Sequence, residues 1–198
     1  MMKINIENES SKLKAVLVGI ANDFGGTPKD EECYDPKSRA HVIAGTFPTN
    51  EVCVKEMNAL VTVFEKYNVK VFRPKNIKGL NQIFSRDIAF AIEDKLVIPN
   101  IIEDRKEEAD AIEEVILEIA KEDIIKMPLS TRAEGGDVMP WNECVFVGYS
   151  EKEDFEKYTV ARTNKSALDF LTLIFPNKIV KGFELNKSDN DPRENALH

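Results

Sequence analysis

Two short strings of residues combine carboxylates with neighbours suited to a binding site. Phe84-Ser85-Arg86-Asp87 places a carboxylate where a loop is predicted to enter a strand. Glu134-Gly135-Gly136-Asp137 places two carboxylates around a pair of glycines, which let the backbone pass close to another group. Taken alone, the first string is equally typical of an Arg–Asp salt bridge at a strand end, and the second is typical of a tight turn.

A third candidate is the imidazole of His198, at the end of the printed sequence. Two carboxylates and an imidazole brought to one pocket would form an acid/base site for a cationic substrate. A histidine in this position has no functional meaning by itself. Its interpretation depends on whether the fold brings His198 to Asp87 and Glu134.

Three amphipathic helices are predicted where apolar residues recur at helical spacing, over residues 50–67, 103–121 and 165–175. Asn50 and Thr163 are suited to cap the first and third of these helices. A hairpin follows each of the first two helix-and-strand pairs. The three strands that follow the helices lie at residues 69–72, 124–127 and 179–183, and the hairpins turn at Glu93-Asp94 and Trp141-Asn142.

The strands that follow the helices begin 55 residues apart, which predicts a repeated unit of helix, strand and hairpin, as in propeller-like architectures. Asp87, Glu134 and His198 each come after the helix-linked strand of their repeat. Since equivalent positions of a quasi-symmetric repeat face a common axis, we expect the three side chains to converge on one pocket. The alternative is an irregular α+β protein in which the spacing is a coincidence.

Composition narrows the classes of function. The 198 residues are 42% apolar and 31% charged, which suits one globular domain. The net charge of −8 and the scattered Lys and Arg residues argue against a nucleic-acid partner and against an anionic membrane surface. Three cysteines without a C-x-x-C pair favour a reducing, cytoplasmic setting, and two histidines without ligand spacing argue against a metal site.

Four motifs in a fixed order give the chain a family resemblance. They are an F-x-R-D string, an E-G-G-D string, an R-T segment and the start of an H-x-D motif, at Phe84-Ser85-Arg86-Asp87, Glu134-Gly135-Gly136-Asp137, Arg162-Thr163-Asn164 and Asn195-Ala196-Leu197-His198. Residues 12–18 also look like the family's first strand. On these residues the chain resembles the amidinotransferase and arginine-deiminase family of guanidine-modifying enzymes, which have the pentein fold.

The resemblance implies an α/β fold, namely a pentein-type α/β propeller of repeated strand–helix units. The family's propeller has five blades, and the repeats found here supply about three of the five. We therefore expect residues 1–198 to be a single domain that forms the N-terminal portion of such a propeller. The resemblance implies no cofactor.

The resemblance also implies a chemistry. In the family, a cysteine thiolate attacks the guanidinium carbon and expels an amine, and the amidino group then passes to water or to an acceptor amine. Glu134 and His198 are the implied catalytic residues, Glu134 orienting the substrate or the histidine and His198 carrying protons. Asp87, Phe84 and Arg162 are implied to bind the guanidinium, the aliphatic stem and the carboxylate of the substrate. The implied ligand is a small guanidino compound such as arginine.

The nucleophilic cysteine of the family has no counterpart by motif in this sequence. Cys53 and Cys144 fall on predicted apolar elements and are expected to be buried, whereas Cys33 lies in a long loop. We therefore expect a guanidino-modifying enzyme truncated before its nucleophile, inactive by itself, with uncovered sheet edges that favour a homo-oligomer. The alternatives are a non-catalytic module that binds a guanidinium or another cationic ligand, and an unrelated α+β protein.

Overall fold

The computed structural model of the protein describes residues 1–33, 36–151 and 162–185. These residues form two compact units, each built from separate stretches of the chain. The first unit comprises residues 1–11, 86–106 and those from 118 onward, and the second comprises residues 12–85 and 107–117. His198, with the rest of the string at residues 195–198, lies outside the described residues. A single domain over residues 1–198 stays a prediction.

The described residues form eight strands and six α-helices. The strands are β1 (Ala15–Leu17), β2 (Lys70–Phe72), β3 (Phe90–Ile92), β4 (Lys95–Ile98), β5 (Ile124–Lys126), β6 (Val138–Trp141), β7 (Cys144–Tyr149) and β8 (Ile179–Glu184). The helices are α1 (Pro36–Ile43), α2 (Asn50–Lys66), α3 (Ser85–Ile88), α4 (Glu107–Asp110), α5 (Glu113–Ile116) and α6 (Lys165–Ile174). Turns of 3₁₀ helix cover Asp30–Glu32, Glu103–Arg105, Lys121–Asp123 and Gly135–Asp137. None of these helices is long and apolar enough to cross a membrane.

The strands form three sheets, two of which have the same topology. β1 and β2 pair in parallel, β3–β4–β5 form a second sheet, and β6–β7–β8 form a third. In the second and third sheets an antiparallel hairpin is joined by a later strand that runs parallel to the hairpin's second strand. β5 and β8 begin 55 residues apart, so the predicted hairpins and their period are confirmed for these two sheets. The described strands form no closed barrel, and the number of blades stays a prediction.

The core of the first unit joins its two sheets to α6. Alternate residues of the hairpins point into this core, as the period of a strand requires. Gly182 on β8 permits a close approach to α6, because a Cβ atom there would lie 2.4 Å from Leu168 Cδ2. Each fully buried aliphatic side chain of such a core stabilises the fold by roughly 1.5–3 kcal/mol. Its buried residues include Ile92, Val97, Val138, Val145, Val147, Ala167 and Leu171.

The second unit has a smaller core beneath α2. Ala21, Phe24 and Cys53 are buried there, and the rings of Phe24 and Phe47 lie 6.3 Å apart. Burial raises the pKa of the Cys53 thiol. This thiol therefore stays protonated and packs as a small apolar group, and its predicted burial is confirmed.

The predicted helix over residues 103–121 is wrong. The structure has a 3₁₀ turn, the single-turn helices α4 and α5, and a further 3₁₀ turn in its place. Seven of the twelve residues 103–114 are acidic. Like charges therefore recur at the i, i+3 and i, i+4 spacings, where neighbours on a helix repel each other. The segment is also divided between the two units, because residues 107–117 belong to the second unit and the residues on either side belong to the first.

Two helix caps and one motif are offset from their predicted positions. Thr49 and Asn164, rather than Asn50 and Thr163, accept the first backbone hydrogen bonds of α2 and α6. Asp87 lies on α3, a single helical turn before β3, rather than at the entry to a strand. Adjacent polar residues are equally suited to cap a helix, so the backbone geometry decides between them.

The outer face of the third sheet is apolar and exposed. Residues that alternate with the core-facing valines point to this opposite side. The rings of Phe146 and Phe183 lie 5.9 Å apart on it, and Phe183 is 53% exposed. Apolar side chains grouped on one face favour association with another surface. The apolar members of this outer face are Met139, Trp141, Phe146, Ile179 and Phe183, and Lys181 lies beside Phe146 on the same face.

We expect the protein to self-associate through this outer face, because association removes its apolar side chains from water. Sedimentation velocity over a range of concentrations should show the sedimentation coefficient rising with concentration. Phe183→Lys should return the protein to monomer, whereas Leu173→Lys, which changes an exposed residue of α6, should not. A monomer at every concentration before substitution would contradict the expectation.

Candidate functional site

Five charged side chains of the first unit meet in one cluster. Asp87 comes from α3, and Arg105 ends the 3₁₀ turn that follows β4. Glu134 and Asp137 lie at the two ends of the turn before β6, and Arg162 lies two residues before the cap of α6. The ends of short elements therefore position the cluster, while the strands themselves supply the core.

The carboxylate of Glu134 is the centre of the cluster. Arg162 Nη1 donates to Glu134 Oε1 at 3.1 Å and to Oε2 at 2.9 Å. Arg105 Nη1 lies 3.3 Å from Glu134 Oε2 and 2.7 Å from Asp87 Oδ2, so that one nitrogen joins two carboxylates. The side chains of Arg105, Glu134 and Arg162 are no more than 8% exposed. The buried charge of Glu134 is therefore compensated by two guanidinium groups.

The two motifs that bear Asp87 and Glu134 are in direct backbone contact. A Cβ atom at Gly135 would lie 2.0 Å from the carbonyl oxygen of Arg86, so this position accepts only glycine. The N–H of Gly136 donates to Asp87 Oδ1 at 3.1 Å. The glycine pair thus permits the close approach that the sequence indicates, and its second amide binds the carboxylate of the other motif.

Thr163 connects the arginine segment to the glycine turn. Its hydroxyl accepts a hydrogen bond from the Glu134 N–H at 3.2 Å and donates one to Asp137 Oδ2 at 2.7 Å. The side chain is fully buried. A single hydroxyl therefore binds the backbone at one end of the turn and the carboxylate at the other.

Burial changes the protonation of the two carboxyl groups of the turn. It raises the pKa of Asp137 to about 6, against the hydrogen bond from Thr163, which lowers that pKa, and with the nearby charges of Glu134 and Asp87, which raise it. Burial also raises the pKa of Glu134, although the charges of Arg162 and Arg105 oppose this shift. The cluster therefore contains a carboxyl group that exchanges its proton close to neutral pH.

Three of the five predicted site residues come together. Asp87, Glu134 and Arg162 are members of the cluster. Phe84 belongs to the second unit, where its side chain is 58% exposed. His198 lies outside the described residues, so its convergence with Asp87 and Glu134 stays a prediction.

Sequence reasoning missed Arg105, assigned no role to Asp137 and considered Thr163 only as a helix cap. Arg105 lies in the acidic segment wrongly predicted as a helix, where an arginine looks like a solvated charge. Asp137 and Thr163 belong to quoted motifs, yet their contact spans 26 residues of chain. For both residues the available signal was membership of a motif, because Asp137 ends the E-G-G-D string and Thr163 directly follows Arg162.

Among the described residues of the first unit, neither a thiol nor a metal site accompanies the cluster. Its one cysteine, Cys144, is half-buried and pairs with Trp141 at the turn of the β6–β7 hairpin. The carboxylates lie beyond the other end of β6, where Asp137 is about 13 Å from Trp141 at roughly 3.3 Å per residue. Among the described residues, no group of three or more His, Cys, Asp or Glu side chains is arranged to hold a metal ion.

One family model matches the chain. It is described as N,N dimethylarginine dimethylhydrolase, eukaryotic, and it matches residues 45–178, which is more than half of the sequence. The match includes the F-x-R-D, E-G-G-D and R-T motifs. Among curated proteins, none matches the chain in sequence.

Solved structures share the fold. The DDAH of Pseudomonas aeruginosa, complexed with citrulline, has a TM-score of 0.66 at 16% identity over 89% of this chain and 62% of that one. An amidinotransferase of saxitoxin biosynthesis from Microseira wollei has a TM-score of 0.64 at 17% identity over 91% of this chain and 62% of that one. The N-terminal domain of ArgZ, a cyanobacterial arginine dihydrolase, has a TM-score of 0.66 at 14% identity, over 87% and 58%. The chain thus has the mixed α/β fold of these proteins and spans about three fifths of their length.

Thr163→Val should loosen the cluster, because it leaves the buried Asp137 carboxyl and the Glu134 N–H without their shared hydroxyl. We expect the free energy of unfolding to fall by about 1–3 kcal/mol in urea denaturation. The pKa of Asp137 should rise above about 6, since the lost hydrogen bond lowers it, and carbon-13 NMR titration of the carboxyl group would measure this. Thr163→Ser keeps the hydroxyl and should leave the titration unchanged. An identical Asp137 titration in Thr163→Val and the parent protein would show that the hydroxyl has no such role.

Proposed function

We propose that this chain, which belongs to the N,N-dimethylarginine dimethylhydrolase family of pentein enzymes, binds a small guanidino compound at the carboxylate cluster of its first unit. Members of this family act on guanidino groups, and the family match covers most of the site. The ligand class proposed is arginine or a methylated or decarboxylated derivative of it.

The observation that carries the proposal is that Asp87 and Glu134 already bind a guanidinium group. That group belongs to Arg105, whose Nη1 lies 2.7 Å from Asp87 Oδ2 and 3.3 Å from Glu134 Oε2. Carboxylates spaced to share one guanidinium nitrogen are also spaced to share one from a ligand. A ligand guanidinium would accordingly take hydrogen bonds of the same geometry, with Arg105 yielding part of its contact to Asp87.

The charge of the cluster also favours a cation. Three carboxyl groups face two guanidinium groups, so the cluster has one negative charge in excess when all five are ionised. A guanidinium ligand neutralises that excess in a site where water screens charges weakly. An anion without a cationic group would meet net repulsion there.

The roles proposed for the other residues are those that the family resemblance implies. Arg162 is proposed to bind the carboxylate of an amino-acid ligand, and Phe84 to pack on its aliphatic stem. Glu134 is proposed to orient the ligand, and His198 to carry protons. Among the solved relatives, the Pseudomonas aeruginosa protein is complexed with citrulline, and the ArgZ domain is bound to its substrate, which supports an arginine-like ligand here.

The reaction proposed for the family site is hydrolysis of the guanidino group or its transfer to an amine. A cysteine thiolate adds to the guanidinium carbon, and the C–N bond to the leaving amine breaks as that amine takes a proton. Water or an acceptor amine then attacks the same carbon, and the C–S bond breaks to release the thiolate. No cysteine of the first unit lies at the cluster, since Cys144 is at the far end of β6. This observation favours a second candidate for the chain by itself, a module that binds guanidino ligands without turnover.

Calorimetric titration tests the proposed binding. Arginine, its dimethylated form and agmatine should bind, whereas citrulline, which has nearly the same shape but no charge on its ureido group, should bind much more weakly. Asp87→Asn should weaken arginine binding by about 10- to 100-fold, as expected for loss of a charged hydrogen bond. Asp94→Asn, on the exposed β3–β4 turn, is the matched control. Equal affinity for arginine and citrulline would refute guanidinium recognition.

Affinity for a guanidinium ligand should rise with pH from about 5 to about 7 and then level off. Below its pKa of about 6 the Asp137 carboxyl is largely neutral. A bound cation favours the ionised form and lowers this pKa, so binding releases a proton. The raised pKa of Glu134 acts in the same direction. Calorimetry in two buffers of different ionisation enthalpy would measure the proton release near pH 6, which Asp137→Asn should reduce. An affinity that falls with rising pH would contradict this linkage.

The 198-residue chain should not turn over guanidino compounds at an enzymatic rate. Acid/base assistance without a nucleophile supplies about 10²- to 10⁴-fold acceleration, against the 10⁶-fold or more that is typical of enzymes. Assays for citrulline, ornithine and amidino transfer would measure this, with Cys33→Ala, Cys53→Ala and Cys144→Ala variants alongside. Robust turnover that one of these substitutions abolishes would identify a nucleophile and exclude the binding-only candidate.

A further inference from the structure

The N-terminal residues of the chain form an extended strap along the first unit. Ile6 exchanges two backbone hydrogen bonds with Glu93, each of 2.8 Å, at the turn of the β3–β4 hairpin. The N–H of Asn142, at the turn of the β6–β7 hairpin, donates to the carbonyl oxygen of Glu7 at 2.6 Å. The strap, residues 2–9, therefore ties together the turns of two hairpins.

The end of the strap is also held by hydrogen bonds, which are made by the side chain of Asn8. Asn8 Nδ2 donates to Asn142 Oδ1 at 2.8 Å. Asn8 Oδ1 accepts from the N–H groups of Ser10 and Ser11 at 3.0 and 2.7 Å. Glu9 lies between these contacts, so its backbone is fixed from both sides.

The carboxylate of Glu9 forms an ion pair with Arg86, the arginine of the F-S-R-D string. The same guanidinium donates through Nε to the carbonyl oxygen of Gly135 at 3.2 Å and through Nη2 to that of Val138 at 3.0 Å. Arg86 thus connects the strap to both ends of the turn that carries the site carboxylates.

The guanidinium of Arg86 lies where the F-S-R-D string contacts the Glu134–Asp137 turn. Arg86 directly precedes Asp87, whose Oδ1 binds the Gly136 N–H of the same turn. The Arg86 side chain is 52% exposed, so without Glu9 its guanidinium would keep two carbonyl acceptors but lose its charged partner. Because Glu9 is already fixed by the strap, its pairing with Arg86 orders little additional chain.

We infer that Glu9 is a positioning residue for guanidinium recognition, which acts through Arg86 to fix Asp87 against the Glu134–Asp137 turn. It touches neither the ligand nor the cluster. The part of the inference that concerns recognition rests on the proposed function, whereas the positioning of Asp87 does not.

The ligand-dependent test compares Glu9→Gln with Glu7→Gln, a matched charge removal on the same strap at an exposed side chain. Glu9→Gln should raise the Kd for arginine about twofold to fivefold, as expected for loss of one partly exposed ion pair. Glu7→Gln should leave the Kd unchanged. Both variants should keep the parent melting temperature, so the loss of affinity is not a loss of folded protein.

The ligand-independent test is the hydrogen exchange of the Gly136 amide, which reports its bond to Asp87. Glu9→Gln should speed this exchange severalfold relative to the amides of β7, and Glu7→Gln should not. Unchanged exchange in Glu9→Gln overturns the inference whether or not arginine binds. Faster exchange with an unchanged Kd overturns the role in recognition. Faster exchange in a protein that binds no guanidino compound supports the positioning role and shows instead that the proposed function is wrong.

Discussion

The burial of the Glu134 carboxylate is the constraint on which the rest of the site depends. A buried charge without partners is costly, and removing one partner of such a pair typically destabilises a protein by about 3–5 kcal/mol. Two guanidinium groups, from Arg105 and Arg162, provide the compensation. The compensation is incomplete at Asp137, whose raised pKa has a consequence for folding. Its contribution to stability is present below about pH 4 and is lost as the pH rises to about 6, because the folded state then holds a buried charge that the unfolded state would solvate.

The fold satisfies this constraint by placing the core residues and the charged residues in different parts of the chain. The strands bury alternate aliphatic residues and form rigid hairpins, while the chain segments just before strands or helices carry the charged groups. At Gly135 the missing side chain lets two of these charged segments come into backbone contact. At Thr163 one buried hydroxyl replaces the water that would otherwise solvate the Glu134 amide and the Asp137 carboxylate. The site is therefore held by backbone geometry and by few long side chains.

The features that the sequence predicts well are those with a local signal. α2, α6 and both hairpins follow from apolar periodicity, and Asp87, Glu134 and Arg162 follow from motif resemblance. The acidic segment before β5 was wrongly predicted, because its apolar spacing is helical while its charge pattern opposes a helix. Arg105 could not be predicted, since its partners lie 18 and 29 residues away and depend on tertiary structure. The one-residue offsets of the caps at Thr49 and Asn164 have the same origin, as only the folded backbone distinguishes adjacent polar residues.

The N-terminal strap has a consequence for the order of folding. Asn8 and its partner Asn142 are 134 positions apart in the chain. Closing so long a loop costs entropy before any contact compensates for it, so contacts of this kind form late. The strap also needs both hairpin turns in place to receive its hydrogen bonds. During synthesis, the strap residues therefore leave the ribosome more than a hundred residues before their partners at the β6–β7 turn. The strap can then hold Glu9 against Arg86 only after the chain has been made as far as Asn142.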